Sequence, residues 1–260
     1  MGPQRSEILE QLSSPYNEVI VRRHKKRIDF DVAGATFATW HPEKLLTGYS
    51  WDAITAACMM SPTDPGSILL LGLAGGTVVR QLRTLLPAAE ITAVEIDEEV
   101  VALGRRHMEL GNFNAEIIIG DAYEYLRSSG RAFDVVIDDV YRTGVEDVER
   151  PDRNVWEIIG QMSNCTRPQG LVVANFVTGE DHQFLYDEAE TVFRSRFQKW
   201  AKVVPPLGYN TILVGGESLR KTASCKEIRS RFAADSDRKR WVKIRIQQLR
   251  GELCNEPLNS

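Results

Sequence analysis

Ser67-Ile68-Leu69-Leu70-Leu71-Gly72-Leu73-Ala74-Gly75-Gly76-Thr77, followed by Val94-Glu95-Ile96-Asp97, decides the fold. An apolar run without charge reads as a strand buried on both faces, which is the signature of a parallel sheet. Glycines placed directly after it let the chain turn tightly and approach a ligand, and an acid about 20 residues further on reaches ribose hydroxyls. The spacing of Gly72, Ala74, Gly75 and Gly76 departs from the pyrophosphate fingerprint G-x-G-x-x-G at its third glycine. The expectation is therefore a nucleoside site without a pyrophosphate in a doubly wound α/β sheet, for which S-adenosylmethionine is the leading ligand. Within it, Gly72, Leu73, Ala74 and Gly75 form the turn and Glu95 with Ile96 follows the second strand.

Further acids keep the same register. Asp121, followed by Ala122, succeeds the strand Ile117-Ile118-Ile119, and Asp138-Asp139 ends Phe133-Asp134-Val135-Val136-Ile137. Ligands of open α/β sheets lie beyond the carboxyl ends of the strands, so carboxylates recurring there converge on one crevice. Strands are expected at about 67 to 72, 91 to 96, 115 to 119, 133 to 138 and 170 to 176, separated by helices. Trp200 to Val204 and Tyr209 to Val214 are joined by too short a turn to be parallel and close the sheet as an antiparallel hairpin. The predicted architecture is a mostly parallel, seven-stranded Rossmann-like sheet of the class I methyltransferase type.

Before residue 65 the pattern differs. Glu18 to Arg23 and Arg27 to Val32 pair as strands across a turn, Thr36 to Trp40 returns as a third, and Gly48 to Met60 forms a helix. Ser61-Pro62-Thr63-Asp64-Pro65-Gly66 ends it. Three units follow: an N-terminal β unit with its helix over 1–65, the nucleoside-binding domain over 66–220 and an amphipathic helical tail over 221–260, whose apolar positions include Ile228, Phe232, Trp241, Ile244, Ile246 and Leu249.

The 260 residues suffice for a full core, and the net charge of −4 gives no footprint for nucleic acid. Arg22 to Arg27 and Arg238 to Arg240 read as solvated basic clusters. Four cysteines lie far apart and the histidines show no ligand spacing, so neither a disulfide framework, a metal site nor a catalytic triad is predicted. No segment resembles a secretory leader or a membrane span, and a cytoplasmic protein is expected.

Taken in order, Ser14-Pro15-Tyr16-Asn17-Glu18-Val19-Ile20-Val21, Leu71 to Thr77, Val94 to Val100, Gly120-Asp121-Ala122 and Phe133 to Asp139 resemble the spermidine synthase-like family over most of residues 15 to 215. That family shares the methyltransferase sheet and carries a small N-terminal β domain. In its aminopropyltransferases the first loop reads G-G-G-D-G-G, with an aspartate that helps bind amino groups; this chain has Ala74 there. The family's fourth strand ends D-S-T-D-P: the first aspartate, which handles the attacking amine, matches Asp139, and the second falls on Arg142.

The resemblance implies that Glu95 binds the ribose diol and that Asp121 with Ala122 receives the adenine. Asp138 is counted with the cofactor-binding residues, although adjacent strand-end residues point in opposite directions, so that one of Asp138-Asp139 is functional and one a structural cap, with Asp139 expected to face the crevice. Asp139 and Tyr141 are the catalytic candidates: Asp139 orients or deprotonates the acceptor, and Tyr141, in the loop after the strand, lines the acceptor site. The loop acids Glu146, Asp147 and Glu149 read as solvated or as a lid over a basic acceptor. Loss of two carboxylates from the diamine half makes a methyltransferase the leading reading, with a small-molecule or protein amine or hydroxyl as acceptor. An aminopropyltransferase using decarboxylated S-adenosylmethionine and a non-catalytic nucleoside-binding or assembly module remain open. Pairing of the N-terminal strands between two subunits predicts a homodimer.

Overall fold

The computed structural model describes residues 6–144, 148–151, 154–179, 182–220 and 225–250. Four antiparallel strands come first, β1 (Glu7–Ser13), β2 (Glu18–His24), β3 (Arg27–Val32) and β4 (Ala35–Trp40), before helix α1 (Ser50–Cys58). Strand–helix alternation then begins with β5 (Ser67–Leu71), α2 (Thr77–Leu85), β6 (Glu90–Glu95), α3 (Glu98–His107), β7 (Glu116–Ile119), α4 (Ala122–Ser128) and β8 (Phe133–Asp138). A two-residue ladder of β9 (Arg142–Thr143) and β10 (Val148–Glu149) precedes α5 (Val155–Asn164), β11 (Thr166–Val177) and α6 (Gln183–Arg196). The chain continues through β12 (Lys199–Val204), β13 (Asn210–Gly215), α7 (Cys225–Ser230), α8 (Asp235–Trp241) and β14 (Arg245–Arg250).

The large sheet runs β14-β12-β13-β11-β8-β5-β6-β7. Strands β7, β6, β5, β8 and β11 are parallel, and β13 reverses beside β11 to pair with β12. Side chains alternate across this sheet: Ile68 and Leu70 enter the core shared with α1 and α2, whereas Leu69 and Leu71 enter the core beneath α4, α5 and α6. Both faces are covered, which is why β5 reads as an unbroken apolar run.

Among the described residues the sheet has eight strands where seven were expected, and the described part of the tail is helical only in part. Ile228, Phe232 and Trp241 do bury against the large sheet, the last two with ring centroids 5.3 Å apart. Residues 245–250 instead pair with the otherwise open edge of β12. Backbone hydrogen bonding to a waiting edge overrides a weak helical periodicity.

Strand β1 escaped the sequence reading for a definite reason. Its register on β2 shifts between Ile8 and Glu10, so a bulge breaks the period-2 pattern while Leu9 and Leu12 still pack inward.

The N-terminal sheet stands over the glycine turn. Phe30, Val32 and Ala38 pack with Val100, Leu103 and Met108 of the α3 region, and the Thr77 hydroxyl accepts from Thr39 N–H (2.9 Å) and donates to Thr39 C=O (3.0 Å). Asp97 adds a second tie, accepting from Ser14 Oγ (2.5 Å) and Asn17 Nδ2 (2.9 Å) while its other oxygen caps α3. Gly75 lies between these layers, and a Cβ there would meet Met108 Sδ at 2.5 Å, Ala38 Cβ at 2.8 Å and Phe30 Cε2 at 3.0 Å. Gly75→Ala is therefore expected to cost about 1–3 kcal/mol in urea unfolding, the scale of overpacking in a close-packed core. Gly111→Ala, with no atom within 4 Å of its Cβ position, is the control and should unfold nearly as the parent does.

Candidate active site at the strand ends

The glycine turn is shaped by a carboxylate. Gly72 N–H bonds back to Val94 C=O (3.0 Å), and Leu73 and Ala74 N–H donate to Glu95 Oε2 at 3.0 and 2.8 Å. Asp97 N–H donates to Glu95 Oε1 at 3.2 Å, leaving that oxygen with acceptor capacity toward the cavity that Glu95 lines. Burial raises the Glu95 pKa, and the three backbone donors oppose the rise. Ala74 sits at φ 47°, a left-handed conformation that a residue with a Cβ seldom adopts.

Asp121 caps α4 through Oδ1, which accepts from Tyr123 N–H (2.9 Å) and Glu124 N–H (2.8 Å). The capping role and a place on the cavity wall coexist, because one oxygen takes both helix donors. Ile96 and Ala122 stand on the same wall as apolar surface.

The adjacent aspartates at the end of β8 part company. Asp139 faces the cavity, accepts from Asn175 Nδ2 (2.7 Å) and has its pKa pushed up to about 7, chiefly by burial. Asn175 Oδ1 in turn accepts from Asn210 Nδ2 (3.0 Å), so amides from β11 and β13 set the orientation of this carboxyl group.

Asp138 does not reach the cavity, contrary to the expectation that it stands beside a cofactor. It is fully buried, pairs with the Arg150 guanidinium and accepts from the Tyr123 hydroxyl at 3.3 Å. Successive strand residues point to opposite faces, so only one of the pair can look into the crevice.

Tyr141 is also more constrained than expected of a catalytic group. Its hydroxyl donates to Asn175 C=O (2.9 Å) and accepts from Val177 N–H (3.0 Å), and burial pushes its pKa up to about 12. The ring lines the cavity while the hydroxyl is committed to the backbone of β11. Of the loop acids, Glu149 pairs with Arg142 at 2.8 Å, and Glu146 and Asp147 fall outside the described residues.

Arg150, Asn175 and Asn210 were not anticipated. Arg150 donates to Asn175 C=O (3.0 Å) and Tyr123 Oη (3.0 Å), with its guanidinium 4.9 Å from the Phe176 ring centroid. It pins the segment after β8 onto the sheet. Asn175 had a readable signal, a polar residue closing the apolar run Leu171 to Ala174, whereas Arg150 lies in a loop whose partner no local pattern reveals.

These groups share a cavity of about 1450 Å³ between the strand ends and the N-terminal sheet. The floor is the 72–74 turn, the acids at the strand ends are Glu95, Asp121 and Asp139, and the far wall includes Phe30, Trp40 and Tyr49, with Asp29 held by Arg27 and Thr39. A small nucleoside with an extended substituent fits such a space. The close backbone turn and the free acceptor positions on Glu95 and Asp121 suit adenosine.

Residues 49–215 match the family model for the spermine/spermidine synthase domain. A polyamine aminopropyltransferase of Neisseria meningitidis is 29% identical over 160 residues, covering 60% of this chain and 59% of the relative. A probable spermidine synthase of Corynebacterium glutamicum superposes with a TM-score of 0.70 at 19% identity, covering 86% of this chain and 87% of that one. The human methyltransferase-like protein 13 has a TM-score of 0.57 at 18% identity, over 80% of this chain and 96% of that one. The two superpositions bear out the methyltransferase-type sheet. The Neisseria relative is named for aminopropyl transfer, not methyl transfer.

Two outcomes check this geometry. Replacing Arg150 by Met strands Asp138 as an unpaired buried charge and should destabilise the protein by about 3–5 kcal/mol in chemical unfolding. Asp139 behaves oppositely: its pKa lies above the ordinary 3.8, so its contribution to stability is present below that value and is lost as pH rises through about 7. Asp139→Asn should accordingly raise Tm relative to the parent at pH 8, with the gain vanishing toward pH 4 in paired thermal scans.

Proposed function

This chain belongs to the spermine/spermidine synthase family, and from that premise we propose that it moves an alkyl group from an adenosyl sulfonium nucleoside to an amine. Aminopropyl transfer from decarboxylated S-adenosylmethionine is the form we favour. Spanning 59% of the Neisseria relative's length, the chain carries both the cofactor turn and the strand-end acids in one cavity. The observation that carries the reading is Asp139, a cavity-facing carboxyl group held by Asn175 and with a pKa of about 7.

The sulfonium supplies a leaving group that departs as a neutral thioether, so the reaction asks little acid catalysis of the protein. What the chain must provide is position and a proton acceptor. Asp139, ionised above pH about 7, takes the proton that the amine loses as its nitrogen forms the new C–N bond. Asn175 keeps that carboxyl group aimed, and Asn210 keeps Asn175 aimed. Glu95 receives ribose hydroxyl protons on its open oxygen, Asp121 receives the adenine amino group, and Ile96 with Ala122 forms the apolar side of the base slot. The N-terminal sheet packs over the turn through Phe30, Val32 and Ala38.

Methyl transfer is the second reading. Ala74 and Arg142 occupy the positions where the family pattern has aspartates, and both line the cavity. A donor that retains its carboxylate is then less strongly repelled than in a site with both acids.

The products discriminate. Protein given decarboxylated S-adenosylmethionine and a panel of amines should release methylthioadenosine, whereas methyl transfer would give S-adenosylhomocysteine from the carboxylated nucleoside. Asp139→Asn should lower turnover by roughly 10²-fold, with nucleoside affinity held, and the parent rate should climb with pH about a midpoint near 7. Glu95→Gln should weaken nucleoside binding instead. Release of neither product, with any acceptor, would leave only the non-catalytic module.

A further inference from the structure

The cavity has a second end that the proposed transfer does not use. Arg80 from α2 and Arg240 from α8 both line it, both are half-buried, and neither has a carboxylate within ion-pairing distance among the described residues. Each spends hydrogen bonds on carbonyls of the segment between β4 and α1: Arg80 on His41 (2.8 Å) and Lys44 (3.3 Å), Arg240 on Leu46 (2.7 Å). Lys44, exposed on the same segment, also lines the cavity and also has no ion-pair partner among the described residues.

The neighbouring acids are already engaged. Asp237 gives its two oxygens to Leu45 and Leu46 N–H at 3.0 and 3.1 Å. Asp52 accepts from Thr47, Gly48 and Gln81 and has its pKa raised by burial, and Glu43 pairs with Lys26. Asp237 and Glu109 act on Arg80 through space only. The corner therefore retains positive charge with unused N–H donors directed by guanidinium geometry, an arrangement that receives an oxyanion.

This corner is joined to the amine end by one continuous wall. From Asp139 the contacts pass through Asn175 and Asn210 to Gly208, whose Cβ position lies 3.5 Å from Asn210 Oδ1 and 3.4 Å from Tyr49. Beside it Leu207 N–H bonds Gly48 C=O at 2.9 Å, and the Gly48 Cβ position is 2.9 Å from Leu207 and 3.9 Å from Arg240 Cδ. A molecule lying along this wall meets a proton-accepting carboxyl group at one end and cations at the other. A diamine or longer polycation would place its second ammonium among Arg80, Arg240 and Lys44, where like charges repel.

We infer that the acceptor is a primary amine carrying an anionic oxygen group, a carboxylate or a phosphate, with its amine at Asp139 and its anion at Arg80, Arg240 and Lys44. The inference rests on the transferase reading above and specifies the substrate class of that same cavity.

Its test is binding rather than turnover, measured calorimetrically on full-length protein saturated with methylthioadenosine, whose own binding is established first. Ornithine presents amine plus carboxylate, phosphoethanolamine amine plus phosphate, and putrescine two ammonium groups. At least one anionic amine should bind 10-fold or more tighter than putrescine, and the tighter of the two identifies the oxyanion. Arg240→Gln should remove most of that preference. Lys44→Gln, at an exposed position with no side-chain bond to lose, should reduce it several-fold even if the arginine variant fails to fold. Raising salt should weaken the anionic amine and spare the nucleoside. Putrescine binding as tightly as both anionic amines, no binding of either of them, or a preference unchanged in both variants would overturn the inference. Failure of the nucleoside itself to bind would instead overturn the transferase reading on which the inference stands, and this inference with it.

Discussion

Everything in the cavity depends on how closely the backbone of residues 72–76 approaches its neighbours. A Cβ on Gly72 would overlap the Asp139 carbonyl, one on Gly75 would enter the packed side chains of the N-terminal sheet, and one on Gly76 would lie 2.5 Å from Leu110 Cδ1. Gly72 and Gly76 also have φ of 84° and 87°, which other residues adopt at a cost. The turn is thus fixed from three sides and held from a fourth by Glu95. Binding surface built on so constrained a backbone requires little ordering when a ligand arrives, which is the condition for affinity from few polar contacts.

The same strand end illustrates how two identical side chains acquire different work. Asp138 faces the α4–α6 side, where Arg150 and the Tyr123 hydroxyl satisfy it, and the pair anchors the loop that follows. Asp139 faces the cavity with only amide support, so burial dominates and its proton is held to near neutrality. Burial is the largest influence on the acidity of Asp139, and through space the Asp138 charge raises its pKa while the Arg150 guanidinium lowers it. A fold that separates structural and chemical carboxylates by one residue uses the strand's alternation directly.

The sequence was legible wherever local pattern and tertiary role coincide. Buried parallel strands, the glycine turn and the acids at strand ends each follow from rules acting over a few residues, and β5, β6, β7, β8 and β11 fall within a few residues of where those rules put them. Illegible features depend on partners distant in the chain. The β1 bulge hides its alternation, β14 is a strand because β12 has an open edge, and Arg150 is buried because Asp138 and Tyr123 await it. Tyr141 shows the limit from the other side, since position after a strand brought it to the cavity but could not tell that its hydroxyl is spent on Asn175 and Val177.

Among the cavity's charges, Lys26, Arg27 and Arg142 are paired with carboxylates, which leaves the strand-end acids and the Arg80–Arg240 corner as its two opposed groups. Glu95, Asp121 and Asp139 collect at the strand ends because every parallel strand of the sheet points its carboxyl end the same way. Arg80 and Arg240 arrive from helices on the other side of the segment that links the N-terminal sheet to α1, and they stay because that segment offers carbonyls for part of their donors. In a partly desolvated space, fields from such separated groups act at longer range than they do in water. Under the proposed transfer, the acidic end is where a sulfonium would be drawn, and Asp139 is the carboxyl group placed to take a proton from the amine. The basic end disfavours cations along the wall that runs from Asp139 through Asn175 and Asn210. A cavity with acids at one end and cations at the other orients any zwitterionic or dipolar ligand before a specific hydrogen bond forms.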